Sequence, residues 1–212
     1  FKVIGSVHKN KKLSIIEKSL GLEPVFQNTN TRKIIKNISS IIKSSIDIKY
    51  FSHKSADAKI KTIPKIVTKH KKYSDLKIGI ALDQAFGFYY PDDLDAFARA
   101  GATLVPFDAI HDAHLPNCDG VFIGGGFPET QMEGLSANAT LRRAIRDAIL
   151  NGMPAYAECG GLMYLARGIE WRGERHDMCG VIPADIVVER RPQGRGYGVL
   201  AETGQGLWAS LT

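Results

Sequence analysis

A chain of 212 residues, 44% of them hydrophobic, has the apolar content for a sizeable core, arranged as one large domain or two small ones. No run approaches the ~20 consecutive apolar residues of a membrane span, and residues 1–12 lack the apolar stretch and small-residue cleavage site of a secretory signal. The net charge of +6 hides an asymmetry: residues 1–76 carry 17 Lys+Arg against 5 Asp+Glu, and residues 77–212 carry 11 against 17. A basic segment can mark nucleic-acid binding, but these lysines are scattered among isoleucines with no interleaved aromatics to stack bases. We therefore expect solvated faces and a tether, with no nucleic-acid partner and no membrane. Cys118, Cys159 and Cys179 are an odd number and fit no common zinc spacing, which points to no metal site and a reducing, cytoplasmic setting.

Residues 1–50 are rich in Lys, Ile, Ser and Asn. Phe1-Lys2-Val3-Ile4-Gly5 reads as the end of a strand, so the chain is expected to open inside a domain. Leu13–Leu20 reads as a short helical turn closed by Gly21. Thr31–Ile48 places Ile34, Ile35, Ile38, Ile41, Ile42 and Ile46 on one helical stripe, with Asn30 or Thr31 as N-cap. Residues 51–76 are lysine-rich with little periodicity and read as a basic linker. The composition changes abruptly near Asp75, and we place the start of a second domain, residues 77–212, there. No G-x-x-x-x-G-K-[ST] phosphate loop occurs anywhere in the chain.

Leu76–Leu82 is a buried-type strand, and Asp83 follows at its carboxyl end, where open α/β sheets place their chemistry. The aromatics Phe86, Phe88, Tyr89 and Tyr90 come next, either as core filler or as part of a site. Pro91 opens a helix that Gly101 closes. Thr103–Phe107 and the stretch into Ile123 are further strands, and the second ends on Gly124-Gly125-Gly126. Three glycines there let a backbone approach a ligand and present N–H groups, or simply make a turn. Asn138–Leu150 is a helix with Leu141, Ile145, Ala148 and Ile149 on one face, stopped by Asn151-Gly152. A short strand then leads into Glu158-Cys159-Gly160-Gly161 and an apolar, helix-compatible run. The order predicts a mostly parallel, doubly wound α/β sheet. Beyond Leu165 the pattern turns strand-like, in Gly180–Val188 and Tyr197–Ala201.

Strand, sharp turn and helix around one cysteine describe an exposed nucleophile. A helix starting just after Cys159 would aim N–H groups and a dipole at the sulfur and favour the reactive thiolate. The alternative is a cysteine packed as a small hydrophobe. A thiolate beside main-chain donors can attack a carbonyl and form a thioester. The oxyanion needs two donors: Gly160 follows the nucleophile, and the glycine triplet can supply the other if its strand is adjacent. Glu158 precedes the nucleophile and would point away from it on a strand. A base is also required, usually histidine. His8, His53, His70, His111, His114 and His176 are the candidates, and none is convincingly placed; His176 reads as a loop residue.

Phe86-Gly-Phe-Tyr-Tyr-Pro91, Gly124-Gly-Gly-Phe-Pro-Glu129 and Ala157-Glu-Cys-Gly-Gly-Leu-Met-Tyr-Leu165 closely resemble the glutamine amidotransferase domain of the cobyrinic acid a,c-diamide synthase family, in its cobyrinate and hydrogenobyrinate versions. The resemblance covers most of residues 77–201. Residues 1–50 resemble, more loosely, the tail of that family's ATP-dependent synthetase domain, with Ser19 where the family usually has histidine and Gly87 where it often has asparagine. It implies a class I glutamine amidotransferase fold. It also implies glutamine hydrolysis at Cys159, oxyanion donors at Gly125 and Gly160, and ammonia passed to a synthetase half. That half would use ATP and Mg²⁺, bound outside this chain, to amidate the a and c carboxylates of a corrin acid in cobalamin biosynthesis. A homodimer is compatible with it. The family's histidine lies in a Gly-His-Glu-Phe-His-like stretch beyond Tyr197-Gly198, which this chain does not contain, so no catalytic histidine is expected here and the isolated chain is expected to be inactive. Two rival readings are an α/β-hydrolase-like cysteine hydrolase, for which Ala157–Gly161 resembles the elbow motif, and a glutaminase-like binding module without catalysis.

Overall fold

The computed structural model describes residues 2–15, 17–18, 21–22, 30–56, 75–191, 193–194 and 196–199. The first segment departs from its sequence pattern in several places. Residues 2–4 form no strand; Gly5 makes one isolated antiparallel bridge to Ile46. In place of a helical turn over Leu13–Leu20, a 3-10 helix spans Lys11–Leu13, capped by the Asn10 carboxamide accepting from the Lys12 amide. Then β1 (Glu17–Lys18) and β2 (Gly21–Leu22) pair antiparallel. Helix α1 (Thr31–Ser45) follows the isoleucine stripe with Asn30 at its N-cap, but stops three residues early. Ile46 turns extended to make the bridge, and α2 (Ile48–Ala56) restarts the helix. Thus Phe51–Ala56, expected as linker, is helical; the remainder of the expected linker, residues 57–74, lies outside the described residues.

The second segment follows its pattern closely. Strand β3 (Lys77–Ala81) is apolar because both its faces are covered. After it come the short β4 (Phe86–Phe88) and α3 (Pro91–Ala100). Pro91 is tolerated in the first turn, where no intrahelical N–H partner exists, and Gly101 closes the helix at φ +86°. Strand β5 (Thr103–Phe107) precedes β6 (Gly120–Ile123) and the two-residue β7 (Gly125–Gly126). A 3-10 turn over Pro128–Gln131 leads to α4 (Met132–Ala137) and α5 (Ala139–Leu150). Asn138 holds that junction: its side chain accepts from the Leu141 amide and donates to the carbonyls of Ala109 and Asp112. Strand β8 (Ala155–Ala157) then runs into α6 (Gly160–Leu165).

The four long strands form one parallel sheet in the order β5-β3-β6-β8. The chain leaves β3 to one side and returns to the other, so the β3–β6 boundary is the switch point of a doubly wound sheet, and its carboxyl end is the expected crevice. Alternation along β6 divides the two faces. Ile123 joins Phe107, Leu135, Leu141, Ile145 and Tyr164 in the main buried cluster. Phe122 turns the other way and meets Phe97 of α3, Tyr89 and Tyr156 edge-on or tilted, with ring centroids 5.1–5.9 Å apart.

Beyond α6 the chain forms β9 (Gly168–Trp171), β10 (Glu174–Asp177) and β11 (Asp185–Val187). Strands β9 and β10 are an antiparallel hairpin joined by Arg172 and Gly173, at φ +56° and +84°. Two positive φ values match the right-handed strand twist, as in type I′ turns. His176 therefore lies on a strand, opposite Ile169, and not in a loop. Of the expected Gly180–Val188 strand only Asp185–Val187 forms, parallel to β9. Residues 196–199 carry no regular structure, with Tyr197 and Val199 fully exposed, so the strand expected from Tyr197 is not seen; its end at Ala201 lies outside the described residues.

Candidate active site at the carboxyl edge of the sheet

Strand β8 ends at Ala157, and the next two residues reverse the chain. The Glu158 amide donates to the Ile123 carbonyl at 3.2 Å, which ties the turn to the end of β6. The Glu158 carbonyl accepts from the Gly161 amide at 2.8 Å, and the Cys159 carbonyl accepts from Met163 at 3.2 Å. Between them Cys159 is held at φ +49°, ψ −113°, a region that non-glycine residues rarely occupy, and its side chain is exposed. Such backbone strain costs about 1–3 kcal/mol and persists only where the surroundings over-determine it.

Glycines make that over-determination sterically feasible. A Cβ on Gly161 would lie 2.1 Å from the Ile123 carbonyl oxygen. One on Gly160 would lie 2.9 Å from the Gly126 backbone, and one on Gly126 only 1.8 Å from the Ala85 oxygen. Backbone is thus packed on backbone across the elbow, β7 and the loop before β4. Gly125 differs: a Cβ there meets Phe88 at 3.3 Å and the Cys159 Cβ at 3.7 Å, so this glycine faces Cys159 itself. The structure therefore brings Cys159, Gly160 and Gly125 together, as their strands β6 and β8 are neighbours.

Two side chains fix this arrangement. Tyr89 reaches across the switch point; its hydroxyl donates to the Ala81 carbonyl at 2.5 Å and accepts from the Gly124 amide at 3.0 Å. Burial pushes its phenol well above the usual range, so it remains a neutral donor. Both Asp83 carboxylate oxygens are engaged by main-chain amides. One carboxylate oxygen accepts from the Ala85 and Phe86 amides at 2.7 and 3.0 Å, the other from Ala109 at 2.7 Å. It ties the aromatic loop to the end of β5. Burial raises its pKa, opposed by those three amides. The expectation of a chemical role at this strand end gives way to a positioning one, because main-chain donors occupy both oxygens.

The aromatics divide by residue. Phe86 is core, stacked at a tilt on Tyr164 with centroids 5.3 Å apart. Phe88 and Tyr90 are exposed beside the turn. Glu158 accepts from the exposed Tyr156 hydroxyl at 3.1 Å.

The histidines take other positions. His111 follows β5, on the far side of the sheet from β8, and pairs through Nδ1 with Asp108 at 2.9 Å. That hydrogen bond raises the imidazole pKa. His176 stands on β10, 3.8 Å from Glu174. His8 and His53 are in the first segment, and His70 lies outside the described residues. Among the described residues no three His, Cys, Asp or Glu side chains converge as a metal site. No helix of the described residues is long and apolar enough to cross a membrane.

Sequence reasoning did not foresee the antiparallel β4–β7 pair, Phe88 to Gly125 and Phe86 to Gly126, which carries the aromatic loop onto the glycine turn. Strands of three and two residues leave no periodic signal. It also passed over Arg142, Arg143 and Arg146, whose i, i+1, i+4 spacing gathers them on one side of α5.

Residues 77–209 match the CobB/CobQ-like glutamine amidotransferase domain. The chain is 35% identical over 212 residues to the cobyrinate a,c-diamide synthase of Magnetococcus marinus, covering 97% of this chain and 45% of that protein. It is 38% identical over 200 residues to the enzyme of the same name from Caldanaerobacter subterraneus, covering 92% of this chain and 43% of the relative. The enzyme of that name from Dehalococcoides mccartyi is 37% identical over 200 residues, with 92% and 43% covered. The chain spans less than half the length of these relatives. On the match over residues 77–209, the chain belongs to the CobB/CobQ-like glutamine amidotransferase family.

Proposed function

We propose that this chain carries the glutaminase nucleophile of a glutamine-dependent amide synthase acting on cobyrinic or hydrogenobyrinic acid in cobalamin biosynthesis. The Cys159 thiolate attacks the side-chain amide carbon of glutamine. The carbonyl oxygen becomes an oxyanion, for which we assign the Gly125 and Gly160 amides as donors. Collapse, with the proton taken from the thiol delivered to the leaving nitrogen by the acid–base group, expels ammonia and leaves a glutamyl thioester, which water hydrolyses to glutamate and free thiol. The observation that supports this reading is the strained, exposed Cys159 facing Gly125, with a Cβ–Cβ separation of 3.7 Å once a methyl is placed on the glycine. The substrate assignment follows the names of the relatives and the three motifs at residues 86–91, 124–129 and 157–165.

The resemblance carried by residues 86–91, 124–129 and 157–165 makes ATP and Mg²⁺ the expected partners of the amidation half. The residues described here do not fit them: there is no phosphate loop in the sequence and no convergent carboxylate cluster among the described residues. We assign that half-reaction to sequence outside this chain and derive no step through it. We likewise assign the base to a group outside this chain and the protein to the cytoplasm, on its odd count of cysteines.

The test is covalent labelling of the 212-residue chain with a chloroketone analogue of glutamine, in which the thiolate displaces chloride. One adduct at Cys159, protected by excess glutamine and absent from Cys159→Ala, is expected by intact mass. Gly125→Ala should fold normally and label more slowly, because its methyl takes up the space between Phe88 and the Cys159 Cβ, where the analogue must enter. Equal labelling of Cys118, or no glutamine protection, would favour the non-catalytic binding module.

A further inference from the structure

A second concave site lies away from the elbow and shares no lining residue with it. Its volume is about 340 Å³, and five arginines line it: Arg142, Arg143 and Arg146 from α5, Arg167 just before β9, and Arg175 from β10. Arginine stays protonated at any accessible pH, so the charge is permanent. The carboxylates nearby do not balance it. Asp185 accepts from Arg167 at 2.6 Å and from Arg175 at 2.9 Å, and Asp177 accepts from Arg175 at 3.1 Å. Among the described residues neither Arg143 nor Arg146 forms an ion pair. Cys179, which also lines the cleft, adds no negative charge, since burial pushes its thiol up to about 12.

Two details mark the site as built. Arg142 is anchored by donating to the carbonyls of Met178 at 2.8 Å and Ser136 at 2.7 Å, yet its Nε is buried with no hydrogen-bond partner. A buried donor of that kind costs free energy, so Arg142 owes its position to the two carbonyl bonds and not to its Nε. Gly180, at φ +70°, leaves room for Arg146: a Cβ there would sit 3.1 Å from the guanidinium nitrogen. The carbonyl bonds fix Arg142 beside the cleft, and the space at Gly180 admits the Arg146 guanidinium next to it.

We propose that this cleft is a binding site for a compact, multiply charged oxyanion, of the class of inorganic phosphate or a di- or tricarboxylate, held chiefly by Arg143, Arg146 and Arg175. Its volume sits at the low end of the roughly 300–1,000 Å³ typical of ligand clefts, which favours a small anion. Planar guanidinium forks match carboxylate and phosphate oxygens in pairs. Binding would lock α5 to the β9–β10 hairpin. It involves no residue of the elbow, so it stands or falls separately from the glutaminase reading.

The experiment is calorimetric titration of the intact chain with sodium phosphate and with citrate, each against sodium chloride at matched ionic strength. Thermal midpoints are followed in parallel. Saturable binding with Kd below about 1 mM by at least one polyanion is expected, with a raised midpoint that chloride does not reproduce. Preference for phosphate identifies a tetrahedral oxyanion as the ligand, and preference for citrate a polycarboxylate. Arg143 and Arg146 are exposed, so the double variant Arg143→Gln, Arg146→Gln should keep its fold by circular dichroism while binding about tenfold or more weakly. The exposed Arg99→Gln, on α3, should bind unchanged. No saturation by either anion beyond the chloride control overturns the proposal. So does unchanged affinity in a folded double variant.

Discussion

At the scale of single residues, Cys159 holds a conformation that its own side chain disfavours. Its surroundings impose the value: the amide before it is bound to β6, its carbonyl starts α6, and Gly160 and Gly161 are wedged on neighbouring backbone. Cys159→Gly removes the Cβ that makes φ +49° unfavourable, at the cost of a more flexible unfolded chain. We expect Cys159→Gly to exceed Cys159→Ala in stability by about 1 kcal/mol in urea unfolding. A Gly variant less stable than Ala would mean the elbow carries no strain. Tyr89 supports the same geometry from the other side. Tyr89→Phe leaves the Ala81 carbonyl and the Gly124 amide without their partner, and should cost about 1–3 kcal/mol. A change below about 0.5 kcal/mol would show that water replaces the hydroxyl there.

At the scale of elements, α6 is only six residues long. So short a helix aligns few peptide dipoles and is a weak source of positive potential at its first residue. The β9–β10–β11 unit is organised differently, by a cross-strand ladder of Arg167, Arg175, Asp177 and Asp185. The hydrogen bond from Arg167, then that from Arg175, holds the Asp185 carboxyl below the usual carboxylate range. A depressed folded pKa contributes stability that is present above the ordinary value and is lost as pH falls through the lowered one. Asp185→Asn should therefore be less stable than wild type at neutral pH, with the two urea midpoints converging in acid. All these side chains are substantially exposed, so the difference is small and shrinks with added salt. A salt-independent gap persisting in acid would point to packing instead.

At the scale of the whole molecule, the strand order separates the groups that a triad would need together. His111 leaves β5, three strand positions from β8, which is about 14 Å at ~4.8 Å per strand. His176 is committed to the β10 face opposite Ile169. On this placement the isolated chain should label at Cys159 but release ammonia from glutamine at background rate. Rapid ammonia release that Cys159→Ala abolishes would show that one of these histidines reaches the sulfur.

Much of the sheet was legible because its signals are local. Apolar runs of five residues, Pro at a helix start, and Gly after a helix end each act within one turn of chain, and β3, β5, α3 and α5 appear within a residue or two of their patterns. The same holds for Cys159 between an apolar strand and two glycines. The first segment was less legible: the isoleucine stripe runs past Ser45, but Ile46 pairs with Gly5, forty-one positions away, and no local pattern announces that bridge. The role of Asp83 was hidden for a related reason, since its partner Ala109 lies beyond a helix and a strand.

The sequence alone determined the alternation of strands and helices, and the sharp turn at Cys159 with the glycines that make it possible, because chain stereochemistry and hydrophobic spacing are properties of neighbours. Tertiary structure alone decided that β6 and β8 are adjacent, so that Gly125 meets Cys159, and that five arginines from α5 and the strand unit after α6 share one cleft. Those meetings depend on which strand the chain returns to, and that is settled by burying the two faces of the whole sheet at once.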